Sequence, residues 1–292
     1  MSRNPNLAGI LAMLAAVGLF SLMDAGLKLL SPHYPPLQVA ALRGAASLPF
    51  VLLWIGLRGG FATLWKVRWG LHLLRGVLAV TMMVCFIHAL RTLPLSTVYT
   101  LFFVAPLMIT ALSVPVLGEY VGPRRWTAIA VGLLGVLVVL RPTGEGMFTL
   151  AGLAVLGAAA GYAASAITVR VLARTDSTQS MVFWMLTLLT LGAGALAAPG
   201  WVPLQAAHVG IIAGIGLAGA LGQYAITEAF RHGEASVIAP FEYTALAWGL
   251  GLDLALWGVL PDGVTWLGAA IIVLSGLYLL HRERVHVEAE HP

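Results

Sequence analysis

The chain is 292 residues long, 60% apolar and only 10% charged, with a formal net charge of +4. An ordinary globular protein carries about 25% charged residues, so a surface of this composition could not face water and a soluble enzyme is excluded. Its cationic residues are scattered rather than clustered, which points to membrane topology and away from a nucleic-acid partner.

Apolar stretches of membrane length, about 20 residues each, follow one another along the chain. The predicted spans are 7–30, 36–57, 71–91, 94–117, 123–141, 148–171, 178–198, 203–230, 235–259 and 264–281. Stretches 4–23, 93–118, 126–140, 147–169 and 201–227 contain no Asp, Glu, Lys or Arg. In lipid each backbone amide must be satisfied internally, so runs of this length predict helices. Strands of a membrane barrel would be short and alternating. Arg3 and the apolar run behind it imitate a secretory signal, but the run is too long and lacks an Ala-x-Ala exit before Asp24, so it reads as an uncleaved first span. Gly59-Gly60, Gly122-Pro123, Pro199-Gly200 and Pro261 to Gly263 supply turns between spans. The lone Cys85 excludes a disulfide framework and a cysteine-rich metal site. No metal, cofactor or catalytic residue is expected.

The second half echoes the first at a constant offset. Ala89, Arg91, Ser96, Gly118, Trp126, Ala130, Leu134 and Leu140 reappear 140 residues later as Ala229, Arg231, Ser236, Gly258, Trp266, Ala270, Leu274 and Leu280. Residues 1–141 and 142–292 are thus two copies of about five spans each, and an odd number turns the second copy over relative to the first. Inverted repeats recur in secondary transporters. The predicted fold is an all-α membrane protein, ten transmembrane helices as two inverted five-helix repeats around a central cavity. With both termini in the cytoplasm the inner segments hold 11 Lys and Arg, while Lys28, Arg91 and Arg141 are the outer ones. The positive-inside rule supports that orientation. Arg75, about one turn into its span, is expected to snorkel to the inner interface.

Gly157 and Gly161 form a GxxxG pair, as do Gly210 and Gly214, with Gly216, Gly219 and Gly222 continuing the second. Small residues allow the close approach that helix association in lipid requires. Internal packing is favoured over homodimer formation, and a functional monomer is expected.

A charge at the bilayer centre costs about 2.5 to 3.5 kcal/mol on insertion scales, which singles out Asp24, Arg43, Glu228, Glu242 and Asp253. Helical spacing groups Ser21, Asp24 and Lys28; Thr81, Cys85 and His88; Gly216, Ala220, Gln223 and Thr227; and Ala235, Ala239, Glu242, Gly249 and Asp253 on single faces. Converging, these stripes would enclose a wet cavity. Asp24, Lys28 and Arg43 read as an ion pair or gate near the outer surface. Glu242 has no partner on its own helix, leaving a substrate or proton role beside a buried pair. His88 with Arg91, mirrored by Glu228 with Arg231, reads as interfacial anchoring, and a gate or a titrating His88 stays open. Trp65, Trp69, Trp126, Trp201 and Trp266 fit a membrane belt. Tyr99, Phe103, Tyr162, Tyr224, Tyr243 and Trp248 lie further in, as packing or pocket. Pro106 and Pro240 interrupt their spans as kinks or hinges.

Gln38-Val39-Ala40-Ala41-Leu42-Arg43, then Ala89 to Pro94 leading into Ala105-Pro106-Leu107, then Leu117-Gly118-Glu119 with Trp126 and Gly132-Leu133-Leu134-Gly135, resembles the EamA modules of the drug/metabolite transporter superfamily. Pro240-Phe241-Glu242-Tyr243-Thr244-Ala245 and the overall length look most similar to the YddG-type amino-acid exporters of that superfamily. The second copy departs where Glu119 would recur, with Trp257-Gly258-Val259 in its place, so Glu119 acts in one half alone or caps the inner end of the fourth span. The resemblance implies a carrier in the bacterial inner membrane that exports amino acids or related small metabolites by alternating access, with protons as a candidate coupling partner. A carrier of drug-like cations or other metabolites is the alternative, and a membrane enzyme or signalling subunit the more distant ones. In such a cavity a zwitterion would be held by Glu242, Gln223, Tyr99 and His88 from the polar stripes, with Tyr224, Tyr162 and Trp248 around its side chain.

Overall fold

The computed structural model describes residues 5–30, 32–58, 60–90, 102–140 and 150–258, with parts of 263–278. Its helices are α1 (Pro5–Leu30), α2 (Pro36–Leu57), α3 (Trp69–Leu90), α4 (Ala105–Leu117), α5 (Pro123–Leu140), α6 (Leu150–Leu172), α7 (Thr178–Ala197) and α8 (Val209–His232). A short α9 (Ala235–Ile238), a 3-10 segment (Ala239–Thr244) and α10 (Ala245–Trp257) follow as one interrupted rod. No strand occurs among the described residues. Asn6–Leu27, Pro36–Leu57, Leu150–Leu172, Thr178–Gly200 and Ala206–His232 are each long and apolar enough to cross a bilayer.

Helix bounds follow the sequence closely except at three places. The eighth span begins at Val209 rather than 203, because Pro203 lies in an extended connection that ends in the 3-10 turn Ala206–His208. The fourth and ninth spans are each broken, at residues 103–104 and 239–244. Breaks of this kind leave polar groups that only a protein interior or a cavity can satisfy.

The repeat has a backbone cause at one position. Gly118 and Gly258, related by the 140-residue offset, end α4 and α10 with φ of 71° and 65°. Such left-handed helix ends favour glycine, which has no Cβ to clash.

The ends of the molecule show that the two copies run in opposite directions. Asn6, the α2–α3 connection, the α4–α5 connection, the α6–α7 connection and the start of α9 are tied together at one end: Asn6 to Glu234, Arg68 to Asp176, and Arg125 to Glu234. The α7–α8 connection, equivalent by repeat to α2–α3, instead meets the α1–α2 connection at the opposite end, where Gln38 bonds Val202 and Tyr34 bonds Gln205. The copies interdigitate rather than facing each other as two blocks. α1 packs on α8, α2 on α7 and α3 on α6, with α2–α8 and α3–α7 completing a six-helix frame.

Glycines set how closely these helices approach. A Cβ on Gly76 would fall 2.8 Å from the Leu188 side chain, one on Gly222 would fall 2.8 Å from Phe20, and one on Gly216 would meet the Ala46 carbonyl. Gly161 lies against Met82 as the GxxxG pairing requires. Gly157, Gly210 and Gly214 do not serve that purpose: among the described residues nothing lies within 4 Å of a Cβ built on them, so Gly216, Gly219 and Gly222 are the packing glycines of α8.

Candidate functional site

The two broken spans are broken at the same place in the repeat. Residues 103–104 correspond to 243–244, and each break lies beside a proline in a first turn, Pro106 as the second residue of α4 and Pro240 as the second of the 3-10 segment. Proline is tolerated there because its missing N–H would be unpaired anyway.

The breaks gather polar and aromatic groups. The Tyr162 hydroxyl, from α6, is within hydrogen-bonding reach of the Glu242 carboxylate. Phe102 lies 5.9 Å from the Tyr162 ring and Phe103 6.1 Å from Tyr243, centroid to centroid. Among the described residues Glu242 Oε1 and the Tyr243 hydroxyl are buried without a hydrogen-bond partner, as is Thr110 Oγ1 within α4. A buried polar atom left unpaired costs about 1 to 3 kcal/mol, more when charged. Such a cluster recruits what it lacks: a proton on the carboxylate, or a donor or cationic group of a bound molecule.

Not all the residues singled out by sequence converge here. Tyr162 and Glu242 do. Gln223 is buried in α8, where its backbone carbonyl accepts from the Thr227 hydroxyl. Tyr224 is 39% exposed and packs edge-on against Trp54, 4.9 Å away, while Trp248 is 46% exposed and covers Gly18 of α1. Tyr99 and the side chains of His88, Lys28 and Asp253 lie outside the described residues. Asp24 and Arg43 lie close enough to act on each other's charge, and Arg43 sits 5.5 Å above the Phe20 ring with its Nε buried and without a partner among the described residues.

The end holding Asn6 and Asp176 carries a polar network that the sequence reading missed. Asp176 Oδ2 accepts the Arg68 backbone N–H at 3.1 Å and bonds His72 Nε2 at 2.9 Å, and Oδ1 accepts from Thr175 at 2.6 Å. Burial alone would raise this carboxyl, but the bonds from Thr175, His72 and the Arg68 amide outweigh it and hold Asp176 below the ordinary Asp range. Arg231 donates to the Asp176 carbonyl at 2.9 Å and to Thr178, which also bonds Glu228. Glu228 and Arg231 therefore belong to a cross-helix network and are more than interfacial anchors. Arg75 does not snorkel either: it is 2% exposed and donates to the Met181 carbonyl at 3.2 Å. Glu119 caps a different helix from the one expected, accepting the Ala235 N–H at 2.9 Å at the start of α9 and facing Arg170 at 3.5 Å. A hollow of about 160 Å³ opens at this end, lined by Leu117, Arg170, Ala173, Arg174 and Arg231. Asp176 two residues before a helix, with His72 and Arg75 on one face, was the available signal.

A multi-span helical protein with paired helix breaks and unsatisfied polar groups inside them is built like a carrier of small molecules. The chain belongs to the EamA-like transporter family, which it matches twice, over residues 7–141 and 149–281. It is therefore a membrane transporter of small metabolites, multi-pass and of a bacterial transporter family. It is 32% identical over 281 residues to a riboflavin transporter of Vibrio cholerae, covering 95% of this chain and 94% of that one. A pseudopaline exporter of Pseudomonas aeruginosa is 26% identical, with 93% and 95% covered, and an S-adenosylmethionine uptake transporter of Rickettsia prowazekii is 26% identical, with 98% and 96% covered. A solved crystal structure shares the fold with a TM-score of 0.82 at 19% identity, covering 94% of this chain and 97% of the other.

Proposed function

We propose that the chain exports amino acids or closely related metabolites across the bacterial inner membrane by alternating access, both termini lying in the cytoplasm. Glu242 would take the amino group of the cargo, or the proton that replaces it, with Tyr162 orienting the carboxylate. His88, Tyr99, Gln223, Tyr224 and Trp248 would complete the path, Asp24, Lys28 and Arg43 would form an ion pair or gate near its outer mouth, and Pro106 and Pro240 would act as hinges. The observation that carries this reading is the unpartnered Glu242 Oε1 at the break of the ninth span. S-adenosylmethionine, the cargo of one relative, is itself an amino acid bearing a cationic centre. The orientation follows from the excess of Lys and Arg on the side assigned to the cytoplasm. The YddG-type resemblance of residues 240–245 points the same way.

A second reading is a flat aromatic metabolite, favoured by the riboflavin transporter at 32% identity and by the rings of Phe102, Phe103, Tyr162 and Tyr243 at the breaks.

Counterflow in proteoliposomes over a panel of amino acids, riboflavin and S-adenosylmethionine separates the two. Amino-acid exchange that Glu242→Gln reduces at least about tenfold is expected. Flavin exchange alone, insensitive to Glu242→Gln, would replace the first reading with the second.

A further inference from the structure

Each end of the six-helix frame carries the same clasp, built from different side chains. At one end Asp176, two residues ahead of α7, accepts the Arg68 N–H at 3.1 Å and bonds His72 at 2.9 Å, at the very start of α3. At the other end Tyr34, two residues ahead of α2, accepts the Gln205 N–H at 2.9 Å and bonds His208 Nδ1 at 2.9 Å, immediately before α8. A second tie is repeated in the same way. Ser180, the third residue of α7, donates to the Thr63 carbonyl at 3.1 Å; Gln38, the third residue of α2, donates to the Val202 carbonyl at 2.6 Å and accepts its N–H at 2.8 Å. All four side chains are buried: Asp176 and Tyr34 are 3% exposed, Ser180 and Gln38 0%.

In each copy, then, the second helix begins by gripping the connection that leads into the third helix of the other copy. Gates in an alternating-access carrier open by turns, yet both clasps are closed together here. Between them the frame helices approach closely, since a Cβ built on Gly76, Gly222 or Gly216 would run into Leu188, Phe20 or the Ala46 backbone. α10 meets the frame through Trp248, whose ring lies 3.1 Å from a Cβ built on Gly18, while among the described residues nothing lies within 4 Å of a Cβ on Gly249 or Gly251.

We propose that the two clasps are permanent pins, so that α1–α3 and α6–α8 stay joined at both ends while α4, α5, α9 and α10 move about the breaks at 103–104 and 239–244. The proposal rests on the reading of the chain as a carrier and assigns Asp176, His72, Tyr34, His208, Gln38 and Ser180 as positioning residues that touch no cargo.

Distances between spin labels on the full-length protein in lipid test it without any substrate. In a Cys85→Ala background, labels replace the exposed residues Lys66 and Arg174 at one clasp, Pro32 and Ala207 at the other, and Lys66 with Tyr120 across to the α4–α5 connection. One narrow distance at each clasp from about pH 5 to about pH 8, with two distances for the 66/120 pair, is expected. Two distances at either clasp, or a single one at all three pairs, would overturn the proposal. Asp176→Asn and Tyr34→Phe should each broaden the distance at their own end alone; broadening at both ends, or at neither, would also overturn it. A failure of flux in liposomes bears on the carrier reading and leaves these distances unaffected.

Discussion

The six-helix frame and the two broken spans solve opposite problems with the same twenty side chains. In the frame small residues bring backbones together, because lipid offers no hydrophobic force between helices and close packing must supply the attraction. Gly216 against Ala46 brings one backbone directly onto another. At the breaks proline and 3-10 geometry interrupt the backbone ladder, and Glu242 and Tyr243 keep buried atoms without partners among the described residues. Unpartnered buried atoms are not confined to the breaks, since Arg43, His72, Arg75 and Thr187 keep them in the frame; what separates the two regions is close backbone packing in one and an interrupted backbone carrying a buried carboxylate in the other.

Substitutions that push on this contrast should rank in a clear order. Gly216→Val drives a branched side chain into the Ala46 backbone, and overpacking of this kind costs about 1 to 3 kcal/mol or more. The expected outcome is a large loss of folded yield and thermal stability in detergent, whereas Gly249→Ala, with open space around it, should gain about 0.5 to 1 kcal/mol from helix propensity. Equal stability of the two variants would dissolve the distinction between frame and mobile part.

The clasps come next. Asp176→Asn weakens bonds to a charged acceptor, about 1.5 to 3 kcal/mol, and Tyr34→Phe removes neutral ones, about 0.5 to 1.5 kcal/mol. Thermal unfolding against pH tells the two apart. Because the folded chain holds the Asp176 carboxyl below its ordinary value, its contribution is fully present above about pH 3.9 and disappears as pH falls through the lower folded value. Wild type and Tyr34→Phe should both lose that increment in acid, and Asp176→Asn should have none to lose.

Glu242→Gln should move stability least, since it neutralises a group whose Oε1 has no partner to lose. Its effect belongs to transport.

Much of the fold could be read from residues alone. Gly118 and Gly258 share an offset because both must adopt a left-handed helix end, and the prolines at 106 and 240 mark the two breaks. Charge depletion set the spans, and the odd count per copy set their inversion. The cross-repeat partners were beyond reach, since nothing local in Tyr34 or Asp176 names a connection more than 100 residues away in the chain. Periodicity assigned Arg75 to the interface because it reports depth but not the neighbouring carbonyl of Met181 that captures the guanidinium. In the site, Glu242 and Tyr162 were legible as buried polar residues on apolar helices. Tyr224 and Trp248 were grouped with them by depth, and their rings instead pack on Trp54 and Gly18.

The most direct test joins both clasps covalently and asks whether cargo still moves. Cysteines replace Tyr34 with His208, and His72 with Asp176, in the Cys85→Ala chain, and a short cleavable thiol linker closes both pairs before counterflow is measured in proteoliposomes. Exchange that survives linking and disappears with Glu242→Gln is expected. Exchange that stops when either clasp is linked, and returns when the linker is cut, would contradict it.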